Sequence, residues 1–261
     1  MDRESLLLVF GMAAEGVIIL LLLRGRVYKT FPIFFAYLCW SLLCDLVINC
    51  VRILAPPEVH LRVYQIQLVL DSAMIFAVLV EVCWNVLRPI RSSLPKYSLL
   101  GIAALVAVGG AILWPIAGLA APDYLTSDGM TLFRLQQTPA ILRAVFFLAL
   151  AAFSQVLSIG WRDRELQIAT GLGFYSIISL AITILHTHET VGTTYHWLDL
   201  AGGISYLVAL MYWVYSFASE TAERREFSPR MQSMLLAVAG AARTTRVALD
   251  DSNKAGKQKD R

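Results

Sequence analysis

The chain has 261 residues, 57% hydrophobic and only 16% charged, with a mean hydropathy of +0.63. That apolar content exceeds what one soluble core of this length needs, so a soluble globular protein is excluded and a membrane-embedded chain is expected. A net charge of +3, spread over short connections and a tail, provides no basic patch and gives nucleic-acid binding no support.

About 20 apolar residues at a 1.5 Å rise cross a hydrocarbon core of about 30 Å. Seven runs of that length predict helices near 5–23, 32–54, 61–87, 98–120, 139–160, 166–187 and 197–218. The expected fold is therefore all-α: a polytopic seven-helix bundle over 1–219, with a tail over 220–261. The first run follows an N-terminus without the basic region of a signal peptide. It ends in Leu23-Arg24-Gly25-Arg26 rather than at a small-residue cleavage site, so it is expected to be retained. The ends of the first, third and fifth runs and the tail hold 17 of the Lys and Arg residues, against 5 on the alternate side. By the positive-inside bias, the N-terminus is expected outside and the C-terminus in the cytoplasm. The bacterial inner membrane, or another cytoplasm-facing membrane, is the expected location.

Phe31-Pro32 opens the second run. Within it Tyr37, Ser41, Asp45, Asn49 and Arg52 recur at helical spacing and form one polar stripe. The third run carries a second stripe of His60, Tyr64, Gln67, Asp71, Glu81 and Asn85. In the fourth, Pro115 predicts a kink in a Gly- and Ala-rich packing helix. The segment from Pro122 to Gln137 reads as the longest outer loop, a small lid, and Thr138-Pro139 reads as an N-cap with proline at the first helical position. Gly171-x-Gly173 in the sixth run and Gly202-Gly203 in the seventh predict close helix approach. Beyond the seventh run, residues near 229–249 predict an amphipathic helix on the inner leaflet, followed by a disordered end.

At an offset of 138 residues, Arg24-x-Arg26 matches Arg162-x-Arg164 and Tyr37-x-x-x-Ser41 matches Tyr175-x-x-x-Ser179. Asp45 then stands opposite Thr183, and Asn49 opposite Thr187. This fits a parallel three-plus-one-plus-three repeat with the fourth helix as connector.

An isolated charge at mid-bilayer costs at least ~2.5 kcal/mol on insertion scales, so Glu15, Asp45, Asp71, Glu81 and Arg143 are expected to face the bundle interior. Depth counting groups Asp45, Asp71 and Arg143 in the outer half. The expected ligand-binding set is Asp45, Asn49, Tyr64, Gln67, Asp71, Arg143 and His186, serving a small polar ligand or ion. Acids outnumber the arginine, which makes Glu15, Asp45, Asp71 and Glu81 candidate proton-coupling groups. Glu81 with Asn85 and Arg88 also reads as an interfacial network.

His186, His188, His196 and Asp199 sit together at the outer mouth and are candidate zinc ligands, though without a ligand motif. Cys39, Cys44, Cys50 and Cys83 all lie in apolar runs and read as small buried hydrophobes. No lysine lies in any run, which excludes a covalent retinal Schiff base, and no phosphate loop or nucleophile elbow is present. Two expectations of function follow from different classes. One is a non-enzymatic sensor or transporter of a small polar solute, proton-coupled if a surplus acid exchanges protons, with a cytoplasmic partner reached through the tail. The other is a metal-dependent intramembrane enzyme acting on lipid. A structural subunit of a membrane complex is the third expectation.

Overall fold

The computed structural model describes residues 3–54, 57–88, 95, 97–119, 121, 126–153, 163–188 and 193–219. Over these residues the chain is helical and contains no strand. Seven helices are long and apolar enough to cross a membrane: α1 (Arg3–Arg24), α2 (Pro32–Leu54), α3 (Pro57–Val86), α4 (Ser98–Ala117), α5 (Ser127–Phe153), α6 (Arg164–His188) and α7 (Thr193–Ala218). The amphipathic segment expected near 229–249 lies outside the described residues.

The helices pack in chain order, and α1 closes the ring against α7. Helix α3 also touches α5 and α6, so its stripe passes through the middle of the bundle. Large apolar side chains such as Leu100, Leu105, Ile112 and Tyr215 face outward. That exposed apolar surface is compatible with lipid contact and with a multi-pass membrane protein.

One end of the bundle is plugged by a dry core. The end of α1, the start of α2, the end of α3, the start of α6 and the end of α7 contribute Ile18, Phe34, Val82, Leu166, Leu210 and Trp213. Phe34 meets Trp213 edge-on, with centroids 5.3 Å apart, a preferred aromatic geometry. A second cluster of Ile75, Leu79, Val106 and Leu142 ties α3 to α4 and α5.

The plugged end also solves a helix-terminus problem. Pro32 opens α2 and has no N–H to satisfy, but the next two amides do. Ile33 N donates to Glu81 Oε1 and Phe34 N to Glu81 Oε2, each at 2.8 Å. Glu81, on α3, thus caps α2 from a neighbouring helix, with its charge at the positive end of the α2 dipole. Asn85, one turn on, donates to Thr30 O at 3.2 Å. Arg164 does the converse at the end of α7, where Nη1 donates to Ser216 O at 2.7 Å and Nη2 to Ser219 O at 3.2 Å. Glu81→Leu should therefore destabilise the bundle by about 2–4 kcal/mol, because two amides lose their acceptor, while Glu81→Gln, which keeps one, should cost about half as much. Thermal melts in detergent read the difference.

Helix α5 departs from the sequence expectation. It begins at Ser127, twelve residues before the Pro139 start, and Pro139 lies inside it. Residues 127–137 are therefore helix rather than a lid. A proline within a helix leaves the carbonyl four residues back without its amide. That carbonyl is Leu135 O, and Ser72 of α3 donates to it at 3.2 Å, sharing its proton with Leu68 O at 2.8 Å. A neighbouring helix thus meets the acceptor that the proline freed.

The glycine expectations divide. A Cβ at Gly171 would collide with the Trp213 indole, and one at Gly173 with Phe147 Cβ, so α6 approaches both α7 and α5 closely. Gly202 has ordinary clearance, with Ile182 Cδ1 3.6 Å from its built Cβ, and Gly203 is tighter at 3.2 Å from Leu7 Cδ1.

Candidate functional site

Above the dry plug lies a cavity of about 210 Å3 walled by α2, α3, α5, α6 and α7. Four-residue spacings place its wall: Tyr37 and Ser41 on α2, Gln67 and Asp71 on α3, Tyr175 and Ser179 on α6. Helix α5 adds Gln136, Gln137, Pro139, Ala140 and Arg143, and α7 adds Tyr206. At about 30 Å3 per water in the liquid, such a volume holds on the order of seven waters. Along the helices the site lies near mid-length, since Arg143 comes sixteen residues after Ser127 in the 27-residue α5 and Asp71 fourteen after Pro57 in the 30-residue α3.

Arg143 is only 9% exposed, and its Nε has no hydrogen-bond acceptor. Its guanidinium carbon stands 6.0 Å from the centre of the Tyr175 ring, a cation–π contact. Asp71 feels the charge of Arg143. Yet among the described residues the ion pair found is His186–Asp199, and Asp71 and Arg143 do not touch. Two opposite charges thus face one cavity without neutralising each other directly.

A smaller recess of about 30 Å3 adjoins the cavity, sharing Tyr37, Ser41, Arg143, Tyr175 and Tyr206 with it. Its floor is Glu15 of α1, which is fully buried. Ser41 Oγ donates to Glu15 Oε1 at 2.9 Å, and the Tyr206 hydroxyl donates to the same oxygen. Glu15 Oε2 has no partner. Tyr206 also stacks edge-on to Tyr175 with centroids 5.4 Å apart. Polar groups therefore line the adjoining cavities from Asp71 and Arg143, past the two tyrosines, to Glu15.

Of the expected ligand set, Gln67, Asp71 and Arg143 line the cavity. Asp45 and Asn49 do not, and helical geometry gives the reason. Each four-residue step advances about 40° around the axis, so Asp45 stands roughly 80° and Asn49 roughly 120° from Tyr37. Asp45 stays half-buried, feels the charge of Asp71, and its own charge reaches Glu15. Tyr64 is 38% exposed and does not line the cavity. His186 sits near the end of α6, where its Nε2 is 3.2 Å from Asp199 Oδ1.

Glu81 is occupied with capping α2 and does not line the cavity. No group of three metal-ligating side chains occurs among the described residues. The side chains of His60, His188 and His196 lie outside the described residues. The described cysteines are free thiols.

Sequence reasoning did not single out Ser72, Gln136, Gln137 or Tyr206. Gln137 Nε2 donates to Thr183 Oγ1 at 3.1 Å and so bridges α5 to α6. Ser72 was findable, since a proline within a long apolar helix requires a donor for the carbonyl it frees. Tyr206 carried no such local signal. No protein-family model, curated protein or solved structure matches the chain. Function has to be argued from the site itself.

Proposed function

We propose that this chain is a multi-pass membrane protein, N-terminus outside, that binds a small polar solute in the mid-span cavity and senses or transports it. The observation that carries this reading is the facing pair Asp71 and Arg143, which share one cavity without an ion-pair contact. A charge pair kept only for packing would close on itself, because leaving two partly buried charges apart is costly. A site that receives a ligand keeps them apart for it.

The dry plug lies on the side that the charge bias assigns to the cytoplasm, which favours a cavity reached from outside. Transport would require that plug to part. Sensing would require the solute to shift it and a partner to read the change through the cytoplasmic segments. Glu15 and Asp71 are the two acids placed to exchange protons with the site. The parallel positions of Tyr37 with Ser41 and of Tyr175 with Ser179 on one cavity wall support descent of the two three-helix halves from one repeat.

Mass spectrometry of protein released gently from detergent tests the reading. Wild type is expected to carry a small polar solute that Arg143→Gln lacks, and identical small-molecule profiles for the two proteins would contradict it.

A further inference from the structure

We infer that the occupant of the cavity is a small zwitterion, carrying a carboxylate and an ammonium group a few bonds apart, of which an α-amino acid is the simplest form. This rests on the solute-binding reading and narrows it to a chemical class.

A guanidinium has five N–H donors and no acceptor. Arg143 is nine-tenths buried, its Nε is orphaned, and its contact is the face of Tyr175. Guanidinium groups match carboxylates bidentately, so this side chain is suited to an incoming carboxylate. Across the cavity stands Asp71, without a hydrogen-bond donor or ion-pair partner among the described residues.

Two amide oxygens beside Asp71 are also unmet. Gln67, one turn earlier on α3, has a buried Oε1 with no partner, and so does Gln137 on α5. The orientation of Gln137 is fixed by its neighbours. Thr183 gives its hydroxyl proton to Ser179 O at 3.0 Å and therefore accepts from Gln137 Nε2, which leaves Oε1 free. One carboxylate and two amide oxygens form an acceptor set for an ammonium group, which brings three donors.

The alternatives fit less well. A simple anion would meet Arg143 but bring like charge towards Asp71, and a simple cation would leave Arg143 unmet. An uncharged dipole would answer neither full charge. With about 210 Å3 available, a small side chain is accommodated beside the two charged ends.

The test needs no variant at first. Calorimetric titration of purified wild-type protein with a panel of small α-amino acids is compared with the matching amino-acid amides, which lack the carboxylate, and N-acetyl derivatives, which lack the ammonium. At least one free amino acid is expected to bind, and each of its blocked forms to bind roughly 10- to 100-fold more weakly, as loss of one charged hydrogen-bonding group implies. Asp71→Asn and Arg143→Gln are expected to weaken the free amino acid by a similar factor while the melting temperature shows each variant folded.

A blocked form that binds as tightly as its parent, or a panel in which no amino acid binds, overturns the inference. If a simple cation, anion or neutral solute binds in an Arg143-dependent manner instead, the zwitterion fails and the solute-binding reading stands. If no solute distinguishes wild type from Arg143→Gln, both fail.

Discussion

Gly173→Ala is expected to lower the stability of the bundle by about 3 kcal/mol, near the upper end of overpacking effects. The added methyl would meet Phe147 Cβ, an atom fixed to the α5 backbone that no rotamer change can move. The only relief is for α5 and α6 to separate, and Arg143 on α5 and Tyr175 on α6 would move apart with them. Gly171→Ala, two residues earlier, offers a contrast. Its clash is with the Trp213 indole, a side chain that can yield by giving up its 3.1 Å hydrogen bond to Gln167 O and its edge-on contact with Phe34. That substitution is expected to cost nearer 1–2 kcal/mol. Detergent melts of the two variants measure the ordering, and equal losses would argue against the rigid α5–α6 contact.

Glu15→Leu is expected to destabilise by about 1–3 kcal/mol, the cost of leaving a buried donor unsatisfied. Two hydroxyls converge on Glu15 Oε1, one from the neighbouring α2 and one from α7 at the far end of the sequence. Ser41 can turn to its own backbone, as helical serines do, but the Tyr206 hydroxyl has no such local acceptor. Glu15→Gln keeps an acceptor oxygen in place and should fall within about 1 kcal/mol of wild type. Adding Tyr206→Phe to Glu15→Leu should recover stability by removing the stranded donor. Failure of the double variant to recover would show that the tyrosine is not what makes the carboxyl necessary.

The seven helices were legible because apolar runs of spanning length leave few alternatives. Proline misled at one position. Thr138-Pro139 has the local pattern of a helix start, but α5 runs through it because Ser72 supplies the donor that a continuous helix needs there. The polar stripes were legible as stripes, but on α2 the cavity-facing members were not. Tyr37 and Ser41 face inward while Asp45 and Asn49 rotate past the cavity, since a four-residue repeat drifts around a helix of 3.6 residues per turn.

Glu15 and Glu81 showed the same limit in another form. As isolated acids in apolar sequence both read as candidates for proton coupling. Their hydrogen-bond partners were hidden: Glu81 meets amides of α2, and Glu15, beside the cavity, meets Ser41 and Tyr206, 26 and 191 residues away. Partners at such separations are set by helix packing, which local periodicity does not encode. The presence of Asp71 and Arg143 at one cavity was closer to hand, because charges in apolar helices have few places to go.

The most direct test of a solute-binding cavity within the membrane is the accessibility of Ser179, on its wall. The measurement replaces Cys39, Cys44, Cys50 and Cys83 with serine, introduces Ser179→Cys, and follows labelling by a membrane-impermeant thiol reagent in intact cells. The account predicts labelling from outside, slowed by the bound solute. Absence of labelling until the membrane is opened, in a protein that still melts cooperatively, would contradict it.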